Sequence, residues 1–219
     1  AFYDCGKERV FTAFSISSEN EYYRVEEGIL YTKDGKTLVS IPRGWGSEGC
    51  TYTMPDTVEY LGELSFSRNK NIKTVVISDG LSLYNEDGEG EYLNQGNELS
   101  VGCYYYSGVE EYVASENSNK YSSKDGILYS ADGLSVVAVP TWYSGDVVIP
   151  EGVCSWCEDA MWDRCEVNGV IRIPSSLVEI NEKQMEILND LVSRTGTRIV
   201  VSEKNPVYTV NSAGFLEKN

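Results

Sequence analysis

The sequence predicts a strand-rich α/β solenoid, in which short parallel strands stack turn upon turn, with helical returns between them and β-hairpins inserted. Three observations carry this expectation. Residues 23–42 recur as residues 121–140 at a constant offset of 98, without a gap, and keep Tyr, Gly, Ile, Leu, Tyr, Asp, Gly, Val and Pro. Ordinary residue usage would give about one match over such a length. A second template starts at Pro55, Pro150 and Pro174: apolar at the third and sixth following positions, small or polar at the tenth, large and apolar at the eleventh. Finally, β-prone runs at 52–54, 147–149 and 170–173 precede the three prolines, and a fourth at 74–77 ends 23 residues after Met54. A fixed period in this range marks units that cannot bury an apolar face alone and do so by stacking.

Each element has a local reason. Residues 10–16 alternate enough for a strand, and a polar connection leads to Tyr23. Gly28-Ile29-Leu30-Tyr31 and Gly126-Ile127-Leu128-Tyr129 are β-prone arms. Asp34-Gly35 and Asp132-Gly133 follow them, a pair that favours a type I′ hairpin turn because both central residues of that turn need positive φ. Pro42 and Pro140 then end the second arm, since proline lacks an N–H. Residues 43–49 read as a loop and 50–54 as a strand. The run at 74–77 leads into Ser78-Asp79-Gly80-Leu81, with Ser in place of Pro, and residues 81–108 fit the repeat poorly.

Near the C-terminus, residues 202–208 echo 115–121 at offset 87, and Gly214-Phe215-Leu216 echoes Gly126-Ile127-Leu128 at offset 88, which supplies one arm of a third hairpin before Asn219. Between Pro174 and that hairpin lies the clearest helix. Asn181 and Gln184 form a capping-box variant, Met185, Leu188 and Val192 share a face with Leu191 beside them, and Gly196 suits the left-handed end. The template places Phe66, Met161 and Met185 at equivalent core positions. Residues 1–219 read as a single repeat domain. The opening Ala1-Phe-Tyr-Asp-Cys5 and the partial hairpin give it the look of a fragment of a longer surface protein.

The period of 23 to 24, with one strand and one return per turn, is the leucine-rich-repeat range. The hairpin signature, Tyr, then Gly-Ile-Leu-Tyr, Asp-Gly and a closing Pro, alternates with the proline template. Together they resemble the BspA-type leucine-rich repeats over roughly residues 11–216, with Trp156-Cys157 where Ile-Gly is usual and Gln184 where Ala is usual. The resemblance implies a right-handed solenoid, a bacterial secreted or cell-surface location, and roles in adhesion, matrix or polysaccharide binding and host contact.

Composition narrows the function classes. Lys and Arg total 18 against 34 Asp and Glu, for a net charge of −16, a surface that repels phosphate backbones and anionic lipid. Nucleic-acid partners are therefore not expected. No apolar run reaches the length of a membrane span, so membrane insertion is not expected either. The absence of histidine removes Ser-His-Asp and Cys-His catalysis and histidine metal ligation. No nucleophile–base pair or phosphate loop stands out, and Gly88-Glu-Gly90 lacks the strand–helix context such a loop needs. The expectation is a non-enzyme without a cofactor, with partners among host or bacterial surface proteins or polysaccharides.

Several candidate sites compete with plainer readings. Cys154-Ser-Trp-Cys157 invites zinc or redox chemistry, but no second such pair and no His completes a site, so buried free thiols are the default for Cys5, Cys50, Cys103, Cys154, Cys157 and Cys165. Asn85, Asp87 and Glu89 open like a calcium loop, but the closing position, residue 96, is Gly, and a solvated acidic loop explains them as well. Trp45, Trp142 and Tyr143 sit just beyond the hairpin prolines. They offer a repeated stacking platform for sugar rings or a partner's apolar groups, or else a cover for the hairpin base. Tyr104, Tyr105 and Tyr106 are the other aromatic candidates. The chain has 16 Tyr and 4 Trp, and what sheet packing does not use is available for binding.

Overall fold

The computed structural model of the protein describes residues 11–62, 64–81, 107–157, 160–161, 165–167 and 169–219. They fall into two compact units, Ala1–Val109 and Glu110–Asn219. In each unit short parallel strands stack from turn to turn, the leucine-rich-repeat-like solenoid arrangement.

In the first unit, β1 (Tyr23–Glu26), β2 (Ile29–Thr32) and β3 (Thr37–Ser40) form an antiparallel meander. Next come β4 (Cys50–Thr53), β5 (Tyr60–Leu61) and β6 (Ile72–Ile77). β4 pairs with β6 in parallel, Tyr52 against Val75, and β3 pairs with β5 in parallel, Leu38 against Leu61. Alternation along these strands sends Tyr52, Met54, Val75 and Ile77 inward, all buried. Ser78 fills the proline position of its turn, and its hydroxyl donates to the Pro55 carbonyl at 3.2 Å.

The second unit opens with β7 (Glu111–Ala114). It repeats the meander as β8 (Tyr121–Lys124), β9 (Ile127–Ser130) and β10 (Ser135–Ala138). β11 (Val147–Val148), β12 (Ser155–Trp156), β13 (Val170–Ile173) and β14 (Glu179–Ile180) follow, then helix α1 (Glu182–Thr195) and β15 (Arg198–Val201). The chain finishes with the antiparallel pair β16 (Tyr208–Val210) and β17 (Leu216–Lys218). Two parallel sheets organise this unit. One runs β11-β13-β15; the other runs β14-β12-β10 and continues into the meander through β9 and β8. Val147 pairs with Ile171, and Ser155 with Glu179, each a step of 24 residues. A Cβ on Gly169 would overlap the Gly145 carbonyl oxygen of the neighbouring turn, so only glycine allows that approach.

The proline template explains the core. Val58, Val153 and Leu177 are buried at its third position, and Leu61, Trp156 and Ile180 at its sixth. Phe66 and Met161 are fully buried at its last position. Met185 departs from that expectation: it is only partly buried, against the same cluster. Here the return is helical, and the helix turns Gln184, Ile187, Leu188 and Leu191 inward instead. Buried Gln184 occupies the small-or-polar slot. Its carboxamide accepts from the Met161 N–H at 3.1 Å and donates to the Met161 carbonyl at 2.9 Å. Its side chain is therefore not the reciprocal half of a capping box. Asn181 still caps the helix, accepting from Gln184 N at 2.8 Å, and Gly196 closes it at φ 76°.

Two further expectations are corrected. Residues 11–16 form no strand; they are held by single backbone bonds such as Phe14 N to Gly28 O at 2.8 Å. The two-residue turns with positive φ at both positions are Glu27-Gly28 and Asp125-Gly126, between the first and second strands of each meander. At Asp34-Gly35 and Asp132-Gly133 only the glycine has positive φ. There the Asp side chain shapes a longer loop: Asp34 accepts from Thr32 Oγ1 and Lys36 N, and Asp132 from Ser130 Oγ and Leu134 N. The carboxylate satisfies the loop directly, so a second left-handed residue is not needed.

These bonds, the hydroxyl first and the backbone N–H second, hold both carboxyls below their ordinary range. A lowered folded-state value means that the contribution is present above the ordinary carboxylate range and disappears as pH falls through the lowered one. Acidification below pH of about 4 should therefore lower the amide protection factors of Lys36 and Leu134, measured by hydrogen exchange and normalised to intrinsic rates, and Asp132→Asn should abolish the pH dependence at Leu134 alone. In the core, Phe66→Ala should cost about 3–5 kcal/mol, read as a lowered urea midpoint.

Candidate interaction surface

The aromatic residues beyond the hairpin prolines have a definite geometry. Trp45 and Tyr143 are themselves 98 apart, the offset of the hairpin repeat. Trp45 Nε1 donates to the Glu27 carbonyl at 2.8 Å, and Tyr143 Oη donates to the Asp125 carbonyl at 2.7 Å. Glu27 and Asp125 are the strained residues of the two tight turns, at φ 48° and 51°. Each ring thus fastens a hairpin tip whose backbone no ordinary side chain favours. Tyr143 is 8% exposed, and burial pushes its phenol pKa up, with Asp125 and Glu111 adding to the rise. Trp45 is half-buried and meets Tyr52 edge-on at 6.0 Å; Tyr52 in turn meets Phe66 edge-on at 5.5 Å and shares a 3.0 Å hydrogen bond with Tyr31. Trp142 is half-buried. The two repeated positions therefore serve the hairpins, and Tyr143 offers little ring face to solvent. Tyr104, Tyr105, Tyr106, Asn85, Asp87 and Glu89 lie outside the described residues.

The exposed chemistry lies elsewhere. On the outward face of the β11-β13-β15 sheet, the pairing register aligns Val148, Arg172 and Val200 in one row across the strands. Val148 is 47% exposed and Val200 42%, with the half-exposed Arg172 side chain between them. Arg172 stands 3.6 Å from Asp146, and Arg198 is exposed in the neighbouring row. The corresponding strands of the first unit turn Thr51 and Thr53 outward. The strand alternation held the signal for Arg172. Val148 and Val200 were hidden in runs that read as wholly apolar.

A second exposed feature is an open cleft of about 400 Å³ on the first hairpin, lined by Glu21, Tyr22, Thr32, Lys33 and Asp34. Tyr22 is 72% exposed, the most open of the large hydrophobic side chains among the described residues. Lys33 reaches across to the Asn20 carbonyl at 2.8 Å.

The thiols differ from the buried default. Cys165 is buried, Cys50 and Cys157 are half-buried, and Cys154 is exposed, with its thiol 3.3 Å from the Gly152 carbonyl. Burial raises the Cys50 pKa. Cys5 and Cys103 lie outside the described residues. Among the described residues no three acidic, Cys or His side chains come together as metal ligands, and no helix is long and apolar enough to cross a membrane.

No family model matches the chain, and no curated protein matches it. Solved structures with similarity to it include a leucine-rich repeat protein from Eubacterium ventriosum, at 13% identity and a TM-score of 0.38, covering 87% of this chain and 42% of that one. The pneumococcal vaccine antigen PcpA gives 13% identity and 0.38, covering 85% and 49%. A leucine-rich cell surface protein from Faecalibacterium prausnitzii gives 15% and 0.29, covering 73% and 63%. The chain spans less than half the length of the first two.

If the aromatic locks act as described, Tyr143→Phe should cost about 1 kcal/mol in thermal or urea unfolding and speed amide exchange in the second meander only, and Trp45→Phe should do the same in the first. Equal exchange in both meanders for either variant would contradict the assignment.

Proposed function

We propose that the chain is a non-catalytic interaction module of a secreted or cell-surface protein of the BspA-type leucine-rich-repeat kind, which binds a protein or matrix partner. The observation that carries this reading is the in-register row Val148–Arg172–Val200 on the β11-β13-β15 parallel sheet. Parallel strands at fixed register place outward side chains in straight rows, so one row offers a partner two apolar contacts around a guanidinium. Arginine is among the residues that dominate interface energetics, and the two exposed valines add apolar surface beside it. Arg172 already stands 3.6 Å from Asp146, so a partner carboxylate would share or displace that contact, on a chain whose net charge of −16 otherwise disfavours acidic partners.

Arg172→Glu should weaken capture of a mucosal or matrix protein at least tenfold, about the worth of one charged contact, while the melting temperature changes little. Val148→Ser with Val200→Ser should weaken it further. Capture unchanged in both variants would remove the sheet face from consideration.

A second reading is supported by the Tyr22 cleft. An exposed ring beside Glu21, Asp34 and Lys33 offers the stacking face and polar fringe that a sugar requires. It would make the chain a carbohydrate-binding module, weak at each contact and effective through multiplicity. Trp45, Trp142 and Tyr143, and with them Tyr104, Tyr105 and Tyr106, would then contribute whatever ring faces they leave open. A glycan array showing binding that Tyr22→Ala removes and Arg172→Glu spares would favour this reading over the first.

A further inference from the structure

The Asp-Gly pairs among the described residues are Asp34-Gly35, Asp79-Gly80, Asp125-Gly126 and Asp132-Gly133, and their surroundings differ. In such a pair the side-chain carboxyl and the next backbone nitrogen combine readily, because glycine puts no Cβ beside the attacking nitrogen. At Asp34 and Asp132 the fold blocks this reaction. Each carboxylate accepts a hydroxyl and a backbone N–H, from Thr32 and Lys36 in one and from Ser130 and Leu134 in the other. The nitrogens are engaged too: Gly35 N donates to Thr32 O and Gly133 N to Ser130 O, both at 2.9 Å. At Asp79-Gly80, a Cβ on Gly80 would overlap the Asp56 carbonyl oxygen, so that peptide has no room to turn.

Asp125-Gly126 is different. Asp125 is exposed, and among the described residues no hydrogen bond reaches its carboxylate or the Gly126 N–H. What restrains the pair is its conformation, with Asp125 at φ 51° and Gly126 at φ 77°. A left-handed residue has ψ of about +47°, which sets the following nitrogen on the far side from its own Cβ. Bringing that nitrogen to the carboxyl requires the peptide between the two residues to turn over. Tyr143 Oη holds this peptide by the Asp125 carbonyl at 2.7 Å, and Tyr112 N holds the next one by the Gly126 carbonyl at 2.9 Å.

We infer that Asp125 is a site of spontaneous isoaspartate formation, which the Tyr143 hydroxyl keeps latent. The Gly126 nitrogen attacks Cγ of the protonated carboxyl. The N–Cγ bond forms, and the amide proton and the carboxyl hydroxyl leave as water. Water then opens the cyclic imide. Cleavage of N–Cγ restores aspartate; cleavage between the nitrogen and the Asp125 backbone carbonyl carbon leaves the chain running through the side chain, with a free α-carboxylate. No oxidant or cofactor is consumed. The reaction proceeds from the population in which the tip is open, so its rate follows the strength of the Tyr143 bond. IsoAsp lengthens the backbone of the turn, and Lys124 and Ile127 then no longer pair in the register that joins β8 to β9. The first hairpin has Glu27-Gly28 at the same place and would have to close a larger, slower-forming ring, so only the second tip ages this way.

The test holds the full chain at neutral pH over several weeks. Isoaspartate is read by methyl labelling with an isoaspartyl methyltransferase and located by peptide mapping. Asp125 should accumulate it ahead of Asp34, Asp79 and Asp132. Tyr143→Phe should raise the rate at Asp125 about fivefold, the worth of one neutral hydrogen bond, and leave the other sites unchanged. Asp125→Glu should remove the signal from this tip. Should Tyr143→Phe not fold, the order of the sites in the wild type decides the matter. Equal accumulation at Asp34 or Asp132 in the folded chain, a rate at Asp125 unmoved by Tyr143→Phe, or no isoaspartate at Asp125 in either folded protein while the urea-unfolded chain forms it would overturn the inference.

Discussion

Parallel pairing between successive turns is the constraint on which the remaining structure depends. Strands joined by backbone hydrogen bonds must lie about 4.8 Å apart, so each turn has to return the chain to the same place one rung further on. A step of 24 residues does this at Val147–Ile171 and Ser155–Glu179, a step of 28 at Ile171–Ile199, where the return contains α1, and a step of 23 at Tyr52–Val75. Once the step is fixed, the proline template follows. Residues at equal positions lie above one another, so Val153 and Leu177, or Trp156 and Ile180, form continuous apolar files. Close approach of the turns at Gly169 follows from the same spacing.

The hairpins obey the constraint as well. The last strand of each meander enters a parallel ladder: β3 pairs with β5, and β10 with β12. The meander is therefore an extension of a rung. Its tip, with a left-handed Glu or Asp, is held on one side by the preceding segment, through Phe14 N to Gly28 O and Tyr112 N to Gly126 O, and on the other by Trp45 and Tyr143 from the loop after the closing proline. This explains why the aromatic position repeats at the hairpin offset: both tips place an acidic residue in the left-handed conformation ahead of a glycine. Side-chain amides handle what the ladders leave open. Gln184 and Asn189, both on α1, each bond a backbone N–H and C=O pair, one inside the core and one at a strand edge.

Much of the fold was legible because periodicity encodes stacking directly. The four β-prone runs and the three prolines mark strands and corners, and Asn181 and Gly196 mark the helix ends. The turns were less legible. Asp34-Gly35 has the composition of a tight turn, but its carboxylate bonds to the loop and changes the geometry, while Glu27, which does adopt the left-handed conformation, is not a turn-forming residue. Met185 was placed by analogy with Phe66 and Met161, and a helix of different pitch rotated it partly out. The surface was least legible. Exposure of Val148 and Val200 depends on which side of a two- or four-residue strand faces the core, and a short apolar run does not say. Trp45 and Tyr143 were found by their recurrence, which identifies a repeated role without distinguishing a ligand contact from a fastening.

The central claim is that successive turns stack in parallel in a defined register, with steps of 20 to 28 residues between paired strands. Inter-strand nuclear Overhauser effects in the folded chain test it directly. Parallel-pattern Hα–HN contacts are predicted between Thr51 and Thr74, between Val148 and Arg172 and between Ser155 and Glu179. Antiparallel Hα–Hα contacts among these segments, or pairings displaced from that register, would contradict it.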